Sequence, residues 1–218
     1  MIRVLSILIS LWVFIWPQAV RAQEQPEPAN APVILVVGDS LSAEYGIRRG
    51  AGWVQWLAEN KKEALGNAQV INASISGDTT AGGRSRLPAL LKKHQPAVMI
   101  LELGANDALR GLSLDASRDN LQSMIDSARG INAEVVLIGM QIPPNFGPDY
   151  ARQFQEMFTT LAKEKDTHLV PFLFASFALQ RDMYQDDGIH PAEQAQPLMA
   201  QTVWPVLQQA LTDYRQRR

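Results

Sequence analysis

Short apolar runs alternate along this chain with longer amphipathic stretches, and most of the apolar runs end in turns built from glycine, asparagine or serine. Residues 33–37 read Val-Ile-Leu-Val-Val, and Gly38-Asp39-Ser40-Leu41 follows at once. A continuous apolar run of this length, closed by a glycine turn, predicts a strand buried on both faces of a parallel sheet. Similar runs predict strands over 69–72, 97–103, 134–140 and 168–170. Trp53, Trp56, Leu57 and Leu65 recur at helical spacing within 52–65, and Gly66 closes that stretch. Helices are also predicted over 81–94 (Leu87, Leu90 and Leu91 inward), over 114–129 with Gly130 as cap, and over 150–165. A closing helix is predicted over 192–214, kinked at Pro197 and Pro205. Strand and helix in strict alternation predict one α/β domain over 33–214, a parallel sheet with helices on both faces.

Ligands of such sheets bind beyond the carboxyl ends of the strands. Ser40, directly after the first strand, therefore stands where the sheet does its chemistry. The proline- and glycine-rich segment 141–149 follows the fourth strand and falls at the same edge, as a groove border or a plain connection.

Composition narrows the function classes. A formal net charge of −2 carries no basic footprint for nucleic acid. There is no cysteine, which excludes thiol nucleophiles, disulfides and thiolate metal sites. Residues 1–22 combine Arg3, an apolar stretch ended by Pro17, and the small-residue site Val20-Arg21-Ala22, which reads as a secretory signal peptide. The apolar part is shorter than the ~20 residues of a spanning helix. The expected location is therefore periplasmic or secreted, without a stable membrane anchor. Residues 23–32 read as a polar, proline-bearing linker, and 215–218 as a basic tail fraying from the last helix.

Asp187-Gly188-Ile189-His190-Pro191 places a carboxylate and an imidazole three residues apart, with Pro191 suited to the first turn of the closing helix. A serine hydroxyl needs a base, and the base needs an orienting carboxylate. Ser40, His190 and Asp187 supply those three parts. Asp186 is the competing orienter, and His94 and His168 are the competing bases. His94 falls at a helix end, where it suits carbonyl capping and the dipole. Acyl transfer also needs donors for the developing oxyanion. The Ser40 N–H, Gly77 in the loop after the second strand, and Asn106 in the loop after the third fit that role. Taken singly, asparagine and glycine are ordinary turn residues.

Four blocks in order, Gly38-Asp39-Ser40-Leu41, Asn72-Ala73-Ser74-Ile75-Ser76-Gly77-Asp78-Thr79, Gly104-Ala105-Asn106-Asp107 and Asp187-Gly188-Ile189-His190-Pro191, resemble the SGNH (GDSL) hydrolase family. The resemblance spans the domain from about Val33 to the final helix. It implies a three-layer α/β/α, flavodoxin-like fold with a five-stranded parallel sheet. It implies Ser40 as nucleophile, His190 as base, Asp187 as orienter, and an oxyanion hole of Ser40, Gly77 and Asn106. It implies no metal or organic cofactor, and a small-molecule acyl ester, thioester or lysophospholipid as substrate. The expected state is a monomer. Ala105 departs from the second glycine usual in the nearest relatives within the family. Leu109, Leu112 and Leu114, or Ile142, Pro143, Pro144 and Phe146, are candidates for an acyl groove or for core. Against this stand a carbohydrate deacetylase, which wants a small polar pocket, and a non-catalytic binding protein on the same fold.

Overall fold

The computed structural model describes residues 31–217; the signal-peptide reading and most of the linker lie outside them. The strands are β1 (Val33–Gly38), β2 (Gln69–Asn72), β3 (Val98–Glu102), β4 (Glu134–Ile138) and β5 (His168–Val170). The helices are α1 (Trp53–Asn60), α2 (Lys62–Leu65), α3 (Thr80–His94), α4 (Ala105–Leu109), α5 (Leu114–Arg129), α6 (Pro148–Glu164) and α7 (Gln196–Gln216). The five strands are all parallel, in the order β2-β1-β3-β4-β5. This is the flavodoxin-like doubly wound order.

Apolar continuity decides strand position. β3 and β4 are buried throughout and β1 at all but Val33, whereas β2 and β5, with polar Gln69, Asn72 and His168, form the half-exposed edges. The chain steps from β1 out to β2, then back across to β3. Right-handed crossovers place the β1–β2 helix on one face and the helices of the reverse-direction crossovers on the other. Accordingly α1 packs on α7, while α3 packs on α5 and α5 on α6. The reversal opens a crevice between β1 and β3, whose last residues, Gly38 and Glu102, are in register.

Several boundaries shift. The stretch 52–65 is two helices broken at Lys61, and α6 begins two residues early because Pro148 suits a first turn, where no N–H is needed. The closing helix starts at Gln196. Pro197, not Pro191, occupies its first turn, so Pro197 starts the helix and only Pro205 lies inside it. Pro191 instead forms an antiparallel bridge with Tyr184. The tail is not loose at Arg215: α7 runs to Gln216, and Arg217 forms an ion pair with buried Glu134. Pro32, assigned to the linker, is already tied to the sheet by the Gln69 N–H at 2.9 Å.

Candidate active site

Ser40 follows β1 on a tight corner rather than a helix. The Ala43 N–H returns to the Asp39 carbonyl at 2.9 Å, and the Leu41 N–H donates to Asp39 Oδ1 at 3.0 Å. The side chain of the residue before the serine therefore holds the turn that presents the serine.

His190 and Asp187 arrive on a self-braced loop. The Gln185 N–H donates to the His190 carbonyl at 2.8 Å, and the Gly188 N–H to the Gln185 carbonyl at 2.9 Å. The Gln185 amide bridges this loop to the Ser40 corner by donating to the carbonyls of Tyr45 (2.9 Å) and Pro191 (3.1 Å). His190 Nε2 lies 2.9 Å from Ser40 Oγ, and His190 Nδ1 lies 2.7 Å from Asp187 Oδ2. Asp187 Oδ1 accepts the Ile189 and His190 N–H groups, each at 2.9 Å. Partial burial acts to raise the Asp187 pKa, but the His190 and Ile189 N–H groups and the imidazole outweigh it, leaving it lowered to about 2. The Tyr45 ring lies 4.4 Å from the imidazole, centroid to centroid.

The three candidate oxyanion donors come from three separate segments that follow β1, β2 and β3. Asn106, on α4, sends Nδ2–H to Asp39 Oδ2 at 2.9 Å, which ties it to the corner carrying Ser40. Gly77 has φ +78°, a backbone state that disfavours side chains. The Arg110 guanidinium donates to its carbonyl at 3.0 Å, locking the second-strand loop to the end of α4. Around these loops Asp39, Leu41, Ser42, Asp78 and Thr79 each donate their N–H within the protein. The N–H groups of Ser40 and Gly77 donate to no acceptor among the described residues. Gly104, at φ +119°, faces the Phe154 and Phe158 rings where a Cβ would crowd them, so the aromatic face of α6 sets the entry to α4. Ala105 is buried as the first residue of α4. Asp107 accepts from Thr80 N (2.9 Å), Thr80 Oγ1 (2.6 Å) and Ser117 Oγ (3.2 Å), binding the third-strand loop to α3 and α5.

The competing residues fall elsewhere. Asp186 is exposed and makes no hydrogen bond or ion pair among the described residues. Gln95, not His94, caps α3 with its side-chain amide. His168 lies in β5 beside Glu134 and Asp213, each 3.5 Å away. The groove candidates divide: Ile142 is buried and Leu109 and Leu114 pack against the core, whereas Leu112 and Phe146 are exposed. Reading the sequence missed Asp39, Glu102, Arg110 and Gln185. A lone acid ending an apolar run was the available signal for Glu102, because buried acids demand a partner. Among the described residues no group of three or more His, Cys, Asp or Glu side chains is arranged to hold a metal ion.

A serine turn at the switch point of a doubly wound sheet, facing an imidazole that is itself held by a carboxylate, is the arrangement of the SGNH class of hydrolase folds. The chain belongs to the GDSL-like Lipase/Acylhydrolase family, which it matches over residues 36–196. It is 45% identical to Esterase TesA of Pseudomonas aeruginosa over 185 residues, 85% of this chain and 92% of that protein. It is 41% identical to Thioesterase 1/protease 1/lysophospholipase L1 of Escherichia coli over 172 residues, 79% of this chain and 81% of that protein. The solved structure of the psychrotrophic esterase EstA from Pseudoalteromonas sp., inhibited by monoethylphosphonate, superimposes with a TM-score of 0.78 at 37% identity, covering 83% of this chain and 98% of that one.

Proposed function

We propose that this chain is an exported serine esterase that hydrolyses carboxylic esters, and thioesters or lysophospholipids of the same acyl chemistry, through an acyl-enzyme. One observation carries the reading: two short contacts in line, Ser40 Oγ to His190 Nε2 at 2.9 Å and His190 Nδ1 to Asp187 Oδ2 at 2.7 Å. Ser40 Oγ attacks the acyl carbonyl carbon while its proton passes to His190 Nε2. Asp187 holds Nδ1–H, which fixes the tautomer and stabilises the imidazolium. The oxyanion is received by the N–H groups of Ser40 and Gly77 and by Asn106 Nδ2–H. The bond to the leaving oxygen or sulfur breaks as His190 protonates it. Water then gives a proton to His190 and attacks the acyl carbon, and the bond to Ser40 Oγ breaks as His190 returns that proton to it. The family and the names of its relatives support ester and thioester substrates. Exposed Leu112 and Phe146, on loops at the same sheet edge, favour an acyl chain over a bare acetyl group. The charged-then-apolar start of the chain supports export.

Hydrolysis of p-nitrophenyl esters from acetate to palmitate tests the reading. We expect a rate that peaks at medium or long chains and falls by about 10⁴-fold or more in Ser40→Ala. A rate confined to acetate replaces it with a deacetylase, and a rate indifferent to Ser40 overturns it.

A further inference from the structure

Two carboxyl side chains lie under the Ser40 corner and take no part in those steps. Asp39 is 1% exposed and Glu102 0%. The Asp39 N–H donates to Glu102 Oε2 at 3.3 Å, and the Ser42 hydroxyl donates to the same oxygen at 2.7 Å. Trp53 Nε1–H in turn donates to Ser42 Oγ at 3.2 Å. Gly38 fits this space because a Cβ there would come within 2.6 Å of Glu102 Oε2. Glu102 Oε1 has no hydrogen-bond partner among the described residues. Asp39 is better supplied: Oδ1 accepts from Leu41 N–H, and Oδ2 from Asn106 Nδ2–H at 2.9 Å.

Two adjacent buried carboxyl groups do not both ionise, because each charge opposes the other in a medium that screens it poorly. The negative charge belongs where the donors are, on Asp39. The proton belongs on Glu102, whose buried Oε1 receives no donor among the described residues. Burial followed by the Asp39 charge pushes the Glu102 carboxyl well above the usual carboxylate range. The other titratable groups facing Asp39 are His190 and Asp78. Asp78 is paired with Arg86, which also donates to the Gly38 carbonyl.

An asparagine amide can turn over and present its oxygen where its nitrogen should be. An ionised Asp39 only accepts, so it admits only the orientation with nitrogen toward it, and fixing one N–H of a planar NH₂ fixes the other. The geometry points to Asp39 and Glu102 as a positioning pair that shares one proton: Asp39 locks the Asn106 amide as an oxyanion donor, and neutral Glu102 holds the backbone of that lock. The proposal rests on the hydrolase reading above.

A double-mutant cycle on the Ser40-dependent rate tests it. Asp39→Asn is expected to lower kcat about 10–10²-fold with KM within about twofold, and Asn106→Ala about 10²–10³-fold. Combined, they should fall no further than Asn106→Ala alone, because both act through one amide. Losses that multiply overturn the lock. Glu102→Ala should lose activity that Glu102→Gln largely restores, since a neutral amide accepts the same two donors; failure of that rescue overturns the neutral role of Glu102. Infrared spectroscopy of the parent protein at neutral pH should show the C=O stretch of a buried neutral carboxylic acid that is absent from Glu102→Gln. Its absence from the parent overturns the shared proton. The band is read without substrate, so it stands apart from any failure of the hydrolase reading.

Discussion

Asp187 and Asp39 are the same residue type, and both serve the Ser40–His190 contact, one behind the imidazole and one behind the serine. Asp187 lies on a loop with its side chain 39% exposed and three donors aimed at it, and its pKa is lowered to about 2. Asp39 lies just beyond a central strand, 1% exposed, and its pKa is raised to about 6 by burial, against the pull of Leu41 N–H, Asn106 and His190. Donor supply governs the first and desolvation the second. The Asp187 loop folds two backbone N–H groups and the imidazole around its carboxylate, whereas Asp39 receives one backbone N–H and the Asn106 amide in a far more buried setting. Asp187 is therefore charged from mildly acidic pH upward, whereas on the proposal above Asp39 is charged because Glu102 takes the proton.

The comparison makes graded predictions. The largest effect is expected for Asp187→Asn, which keeps shape but removes the charge behind the imidazole. We expect kcat to fall by about 10²–10⁴-fold with the fold intact, checked by steady-state kinetics and circular dichroism. A loss no greater than that of Asp39→Asn would erase the distinction between the two acids.

Stability against pH should move in opposite senses. The folded Asp39 pKa is raised from 3.8 to about 6, so the folded state binds the extra proton in that window and wild-type stability falls as pH rises through it. The Tm of Asp39→Asn relative to wild type should therefore become more favourable as pH rises from 3.8 to about 6. The folded Asp187 pKa is lowered from 3.8 to about 2, so its stabilisation is present above 3.8 and lost as pH falls towards 2. The Tm deficit of Asp187→Asn should shrink over that fall. It should be the smaller of the two trends, because solvent screens the exposed carboxylate. Parallel slopes in the two thermal-denaturation series would refute the assignment.

The smallest effect concerns salt. At 1 M salt the Debye length is about 3 Å, enough to weaken exposed charges and not buried ones. The Tm deficit of Asp187→Asn should narrow measurably at high salt, and the Asp39→Asn difference should not.

Much of this was legible in the residues, for reasons that differ by element. The central strands were readable because continuous apolar runs have few other uses, and β2, β5 and α5 fell on their expected residues. One boundary failed because two prolines could fill the same role: Pro191 and Pro197 both suit a helix start, and only the bridge to Tyr184 removes Pro191 from the helix. The Asp187–His190 spacing is local, so a short segment displays it. The link between Asp39, Glu102 and Asn106 spans separations of 63 and 67 residues, and no local pattern records it.

By itself the sequence determined the strand–helix alternation, the family and the four loops that could carry chemistry, because periodicity and turn chemistry act over a few residues. Only the tertiary structure decided that β1 and β3 end side by side, and so which acid is buried and which is wrapped in donors. Desolvation and long-range hydrogen bonds depend on what surrounds a side chain in space, and that is set once the sheet is assembled.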